Sequence, residues 1–290
     1  MKSERKERNV FAKTIILVLT VIVFMAMGTA ASYADDNTFT SYSDAQKYIY
    51  QNVMEMNPEI NYTLKVDSMG SAFDTFSSTS ISGLTSLDDG LNTAGDYAAW
   101  NLYNGDEFSY SCEKVDGQYV IHVQDKVSYR LSKSQERTYK EKLNSVMASI
   151  GTSGSDKQKV KRIYKYVTKN VKYDYSSNLK DTAYTAYAAL VNKKAVCNGY
   201  AALVYDMCRK AGVPCRVIVG QANGGLHAWN LIKIGNKWYN ADATWDAGES
   251  SYRYFLKSDK QFRGHKRAAA YRSKRFKALC PTSASSMKIK

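Results

Sequence analysis

The stretch from His227 to Thr244 constrains the fold of this chain more than any other segment. Two runs rich in apolar residues lie on either side of Gly235-Asn236, a dipeptide typical of a tight turn. Apolar runs around a two-residue turn predict a β-hairpin. The apolar run just before it, residues 216–220, predicts a further buried strand.

The register of this hairpin places two polar side chains together. If Ile234 pairs with Lys237, then His227 and Asp242 lie on adjacent strands and share one face with Trp229. Diagonal neighbours of this kind have Cα atoms about 7–8 Å apart. An imidazole and a carboxylate can form a hydrogen bond across that distance, so the hairpin predicts a histidine oriented by an acid.

Cys197 precedes a run that predicts a helix ending near Ala211. Gly212 suits the position after the last helical residue, and Pro214 prevents continuation. A thiol at the start of a helix lies near unpaired backbone N–H groups and the positive end of the helix dipole. Both favour the thiolate, the nucleophilic form. The alternative is that Cys197 is a small buried side chain.

A cysteine at a helix start, a histidine and an orienting acid together fit an activated nucleophile. In this hypothesis His227 keeps Cys197 as the thiolate and later protonates the leaving group. Asp242 fixes the tautomer of His227. The backbone N–H of Cys197 is one candidate oxyanion donor. Tyr173 and Tyr187 are weaker candidates for the second.

Three sequence blocks carry a resemblance to a known family. They are Ala195-Val-Cys-Asn-Gly-Tyr-Ala, Gly225-Leu-His-Ala-Trp-Asn and Lys237-Trp-Tyr-Asn-Ala-Asp-Ala-Thr-Trp-Asp. In this order they resemble the core of the transglutaminase-like superfamily, over about residues 134–262. The resemblance implies an α+β, papain-like core whose nucleophile helix packs on an antiparallel sheet. It also implies that Cys197 is the nucleophile, His227 the base and Asp242 the orienting acid, and that residues 252–256 form a closing strand.

The N-terminus has the pattern of a secretory signal. A basic head precedes an apolar run from Thr14 to Met27, and small residues at Ser32 and Ala34 predict cleavage after Ala34. The run is short for a bilayer crossing, so an uncleaved anchor is the less favoured alternative. We therefore expect a secreted or cell-surface protein, bacterial like the exported members of the family that it resembles, with no membrane span after cleavage.

The remaining chain divides into two predicted parts. Residues 35–132 form an N-terminal accessory α+β region, and residues 133–290 form the catalytic domain. Apolar spacing predicts a helix at residues 43–56, and strand-like runs predict a hairpin at residues 108–124, whereas residues 68–95 are rich in Ser, Thr and Gly. Capping boxes at Ser132 and Ser155 predict the next two helices, and a third is expected at residues 183–191.

The five cysteines are Cys112, Cys197, Cys208, Cys215 and Cys280. Their number is odd and their spacing gives no CxxC pair, so at least one thiol has no partner within the chain. A Cys208–Cys215 disulfide is conceivable, and the sequence leaves it open.

The chain is strongly basic, with a formal net charge of +14. Outside a cell this favours contact with an anionic cell-wall polymer or with lipid headgroups, although plain solubility explains the charge equally well. Nucleic acid is not expected there. His265 lies in a basic segment and is expected to be a solvated surface residue, and Trp229, Trp238 and Trp245 are expected to pack against the sheet.

Three functional hypotheses remain at this stage. The first is an enzyme acting on a protein or peptide substrate, either a protease or amidase or a protein-glutamine acyltransferase, with hydrolysis slightly favoured. The second is a non-catalytic cell-surface binding module on the same fold. The third is a metal site formed by Cys197, His227 and Asp242. The first hypothesis is preferred, with no cofactor and no metal.

Overall fold

The computed structural model describes residues 37–68 and 94–288. The predicted signal segment lies outside these ranges, as does most of the Ser/Thr/Gly-rich stretch. The helices in the described ranges are α1 (Tyr42–Met54), α2 (Ala94–Tyr97), α3 (Lys133–Ile150), α4 (Asp156–Asn170), α5 (Cys197–Lys210) and α6 (Lys274–Leu279). The strands there are β1 (Thr38–Phe39), β2 (Glu59–Val66), β3 (Tyr103–Val115), β4 (Gln118–Tyr129), β5 (Lys172–Tyr173), β6 (Lys194–Ala195), β7 (Cys215–Ala222), β8 (Gly225–Ile234), β9 (Lys237–Ala241) and β10 (His265–Arg267).

The N-terminal sheet has the strand order β1-β2-β4-β3. Its β3–β4 hairpin turns at Asp116-Gly117, where both residues have positive φ as a tight hairpin turn requires. The predicted hairpin is confirmed, and both strands extend further than expected. Buried side chains of α1 and of this sheet share one apolar cluster, which includes Ile49, Ile60 and Ile121.

The second sheet has the order β10-β7-β8-β9, and all of its pairings are antiparallel. Ile234 pairs with Lys237, so the predicted register is confirmed. Apolar side chains of α5 share the main core with Ala228 and Ile232 of β8. Since side chains alternate along a strand, Trp229 and Leu231 lie in a second cluster on the opposite face. The α+β core with α5 packed on an antiparallel sheet is confirmed.

The helices at both capping boxes are also confirmed. The hydroxyls of Ser132 and Ser155 accept from the backbone N–H groups three residues on, and the glutamines at those positions bond back. The helix expected at residues 183–191 is instead broken into a 3-10 turn, Asp181–Tyr184, and a π-helical turn, Ala188–Asn192. The Thr185 hydroxyl bonds to the backbone at this junction, which competes with continuous helix bonding.

The expected closing strand at residues 252–256 is wrong. This segment is irregular because the Asp246 carboxylate accepts the backbone N–H groups of Arg253 and Tyr254. The edge of the sheet beside β7 is closed by β10 instead. The boundary between residues 132 and 133 stays a prediction. In the part of the chain that the structure describes, no helix combines the length and the apolar character that a membrane crossing needs.

Candidate active site

Cys197 is the first residue of α5 and is 5% exposed. No carbonyl lies one turn earlier in the helix, so its backbone N–H has no acceptor within α5. Its Sγ lies 3.7 Å from Oδ1 of Asn198, and its interaction with His227 contributes to the raised pKa of that histidine. The structure therefore places the predicted nucleophile beside the predicted base.

His227 and Asp242 meet as the hairpin register predicted. His227 lies on β8, Asp242 directly follows β9, and Nε2 of the histidine is 2.8 Å from Oδ2 of the acid. Asp242 is fully buried, and its Oδ1 accepts the backbone N–H groups of Thr244 at 2.9 Å and Trp245 at 3.3 Å. Because Nε2 is engaged by Asp242, the other ring nitrogen of His227 is the one available to Cys197.

These contacts control the charges of the histidine and the acid. Burial by itself disfavours protonation of His227, but hydrogen bonds with Asp242 and Cys197 raise its pKa to about 10. Burial by itself would raise the pKa of Asp242, but hydrogen bonds from His227 and His265 outweigh it and lower that pKa. The arrangement thus favours an ionised carboxylate beside a protonated imidazole.

The residues around His227 explain why the block His-Ala-Trp-Asn positions the site. Ala228 is fully buried in the core that β8 shares with α5, where a small side chain permits close packing. The Trp229 indole donates to Oδ1 of Asn240 on β9 at 3.2 Å. The Asn230 amide donates to the Ala201 carbonyl of α5 at 2.9 Å. These bonds fix the strand that carries His227 against both neighbouring elements.

His265 is the residue that sequence reasoning missed. It was expected on a solvated surface, but its side chain is only 1% exposed and its Nε2 lies 2.9 Å from Oδ2 of Asp242. The expectation failed because the surrounding residues are basic, whereas β10 directs the His265 side chain inward. The chain has only three histidines, which was the available signal that each could have a specific role.

The cluster that could hold a metal ion differs from the one expected. The ligand atoms of His227, Asp242 and His265 lie within 4.8 Å of one another, so His265 takes the place expected for Cys197. Two imidazoles and a carboxylate are ligands that zinc accepts. The two N–O distances of 2.8 and 2.9 Å are those of hydrogen bonds, which a proton between each pair of atoms satisfies.

The other cysteines lie away from this arrangement. All five fall within the described residues and each is a thiol rather than half of a disulfide. Cys208 and Cys215 are hydrogen-bonded to each other, and burial together with this bond raises the pKa of Cys215. The roles of Tyr173 and Tyr187 as oxyanion donors stay predictions.

Comparison with known proteins finds similarity in the part of the chain that contains the candidate active site. Residues 144–243 match the family described as the transglutaminase-like superfamily, and this range contains Cys197, His227 and Asp242. Kyphoscoliosis peptidase of Mus musculus is 31% identical over 126 residues, which are 38% of this chain and 19% of that protein. Kyphoscoliosis peptidase of Homo sapiens is 32% identical over 108 residues, 32% of this chain and 16% of that protein.

One solved structure, a crystal structure of a TGase, is 16% identical and covers 69% of this chain and 55% of its own, with a TM-score of 0.36. That similarity is too low to support an inference. The chain spans less than a fifth of the two mammalian relatives. The family match supports an enzyme of the cysteine-dependent kind. Over residues 144–243, this chain is therefore similar to the transglutaminase-like superfamily.

Proposed function

We propose that this protein is a cysteine-dependent enzyme that attacks amide bonds of peptides or proteins, with Cys197 as nucleophile, His227 as base and Asp242 as orienting acid. The observation that carries the proposal is the 2.8 Å hydrogen bond between His227 and the buried Asp242 carboxylate, together with the interaction with Cys197, at the start of α5, that also raises the pKa of His227. A base beside a thiol, itself oriented by a third group, is the arrangement that nucleophilic catalysis requires.

The reaction follows from these positions. The Cys197 thiolate attacks the carbonyl carbon of the amide, and the backbone N–H of Cys197 stabilises the oxyanion. His227, held protonated by Asp242, gives its proton to the nitrogen as the carbon–nitrogen bond breaks, which leaves a thioester on Cys197. His227 then removes a proton from water or from an amine. That nucleophile attacks the thioester and releases the thiol.

Hydrolysis is the preferred outcome. The two mammalian relatives are named as peptidases, although the aligned region is less than a fifth of either protein. The same three side chains would serve transfer to an amine, so the outcome depends on which nucleophile reaches the thioester.

The substrate and location are part of this proposal. We expect export because the N-terminus has the pattern of a secretory signal. We expect contact with an anionic cell-wall polymer because the net charge of the chain is +14. A cavity of about 270 Å³ supports such contact, since it is formed where β7, β8 and β10 meet and includes the cations Lys266, Arg267 and Arg272. The apolar side chain of Leu226 also lines it, next in sequence to His227.

The test uses the mature chain with casein and a labelled primary amine. We expect peptide release in the wild type and none in Cys197→Ala, while Cys112→Ala, which removes an exposed thiol of the N-terminal sheet, retains activity. Incorporation of the amine that depends on Cys197 would show transfer instead. If Cys197→Ala matches the wild type in both assays, the proposal is wrong.

A second experiment separates the enzyme from a binding module. Alkylation by iodoacetamide is followed against pH in the Cys112→Ala background, and the modified residue is identified by mass spectrometry. We expect rapid modification of Cys197, and a slower reaction when His227 is changed to Ala. If changing His227 to Ala leaves the rate of Cys197 alkylation unchanged, the result supports the binding module.

A further inference from the structure

A second histidine meets the buried acid of the candidate site. His265 is the first residue of β10, which pairs with β7, and its partner there is Ala222. Its Nε2 lies 2.9 Å from the same oxygen, Oδ2 of Asp242, that His227 contacts at 2.8 Å. Two imidazoles from two different strands therefore share one carboxylate oxygen.

Hydrogen-bond geometry assigns the direction of these bonds. Nδ1 of His265 lies 3.1 Å from the carbonyl oxygen of Arg263, and a carbonyl can only accept. Nε2 faces a carboxylate whose other oxygen already accepts two backbone N–H groups. Both nitrogens of His265 therefore face hydrogen-bond acceptors in this arrangement, and Nε2 donates to Asp242.

The position of His265 is built by the fold around it. Its ring centroid lies 4.0 Å from that of Phe262 and 4.3 Å from that of Trp245. The preceding Gly264 has a φ of +82°, which favours glycine, and its carbonyl accepts the Asn223 backbone N–H. A Cβ on Gly220 of β7 would lie 2.1 Å from the Lys266 carbonyl oxygen, so only glycine lets β10 approach this closely.

We propose that His265 is a positioning residue that holds Asp242 in the orientation His227 needs. The inference rests on the proposed function above. Without His265, Oδ2 would keep a single donor, and the buried carboxylate would lose one of its hydrogen bonds. His227 would then be less well oriented toward Cys197, while substrate contacts would be little changed. The loss should appear in kcat rather than in KM.

The test compares a variant that keeps a donor with one that does not. In His265→Leu we expect kcat to fall about ten- to a hundredfold, the effect of one hydrogen bond to a charged group, with KM within about twofold. In His265→Gln the side-chain amide can still donate to Asp242, and we expect most of kcat to return. His122→Gln removes the histidine of β4 and serves as the control, with unchanged kcat.

A spectroscopic readout tests the bond without activity. With three histidines in the chain, long-range ¹H–¹⁵N spectra of the rings can be assigned by single substitution. We expect Nε2 of His265, which faces Asp242, to show the shift of a protonated nitrogen. An unprotonated Nε2 would overturn the proposal, even if Cys197→Ala shows that the enzyme hypothesis is correct.

Two further results would also overturn it. One is wild-type kcat in a folded His265→Leu. The other is a zinc ion that is bound at one per chain in the wild type, is lost in His265→Gln, and inhibits the enzyme until a chelator removes it. His265 would then act as a metal ligand. If instead Cys197→Ala keeps full activity while the spectra show a protonated Nε2 on His265, the proposed function fails and the His265–Asp242 bond stands.

Discussion

Among single residues, Asp242 has the greatest influence on the chemistry of the site. It accepts four hydrogen bonds, two at each oxygen, although it is fully buried. A buried carboxylate is stable only when its charge is compensated, and here the compensation comes from His227 and His265. The same bonds raise the pKa of His227, so the acid controls both the orientation and the charge of the base.

The first prediction concerns the pH dependence of activity. The pKa of His227 is raised to about 10, so its proton is present at neutral pH and lost as the pH rises through about 10. We expect kcat/KM to fall along that alkaline limb. In Asp242→Asn the main group that favours the imidazolium is removed, so the limb moves to lower pH and kcat/KM at neutral pH falls by about a thousandfold or more.

Measurement of kcat/KM from pH 6 to 10.5 checks this prediction. Asp259→Asn is the control, since Asp259 contacts Arg267 and Asn240 but not the histidines. An alkaline limb at the same pH in Asp242→Asn and the wild type would contradict the assigned role of Asp242.

At the scale of elements, α5 presents Cys197 and is held near its start and in its interior. Near its start, a Cβ on Gly199 would lie 2.7 Å from the Cβ of Ala195 and 2.8 Å from the Thr185 carbonyl oxygen. In its interior, Asp206 accepts hydrogen bonds from Tyr139 of α3 and from Asn101. The position of the nucleophile therefore depends on close backbone packing at one end and on a buried acid further along.

The second prediction tests the packing at the start of α5. Gly199→Ala adds a methyl group where backbone and Cβ atoms already touch, so α5 must shift. We expect a loss of about 1–3 kcal/mol of stability and at least a tenfold loss of kcat/KM, because Cys197 is two residues away. Lys210→Ala, an exposed site at the other end of α5, should change neither. Denaturant unfolding and steady-state kinetics provide the two measurements.

The third prediction concerns the buried acid of α5. Burial raises the pKa of Asp206 to about 8, above its ordinary value of 3.8. The folded protein then keeps a proton that the unfolded chain releases, so this contribution to stability is fully present below about pH 4 and is lost as the pH rises toward 8. The slope for one proton is about 1.4 kcal/mol per pH unit.

Asp206→Asn keeps the shape of the side chain and cannot titrate. We expect the difference in unfolding free energy between variant and wild type to change with pH by that slope between about pH 4 and 6.5. Over most of this range His227 is protonated in both the folded and the unfolded protein. A difference that is constant with pH would show that Asp206 is ionised in the folded protein.

For the molecule as a whole, an ion pair joins the N-terminal part to the sheet that carries the site. Arg216 of β7 is 1% exposed, and its Nε lies 2.7 Å from Oδ2 of Asp96 in α2. The main core also contains Tyr97 and Leu102 together with residues of α5. The sheet of the candidate site is therefore stabilised by residues far earlier in the chain.

The fourth prediction tests this pair. Removal of one partner leaves a buried charge uncompensated, so Arg216→Met or Asp96→Leu should each cost about 3–5 kcal/mol of stability. The double variant Arg216→Met/Asp96→Leu removes both charges and should recover much of that loss. Urea unfolding of the four proteins checks the cycle. Additive losses in the double variant would mean that the two side chains act independently.

The sequence alone determined the local parts of this protein. The capping boxes at Ser132 and Ser155 and the pairing of Ile234 with Lys237 depend on residues a few positions apart, so composition and spacing were enough to place His227 beside Asp242. Only the tertiary structure decided that His265 meets the same carboxylate. Its position depends on β10 pairing with β7, more than forty residues earlier, and on the close approach at Gly220, and neither leaves a periodic pattern in the sequence.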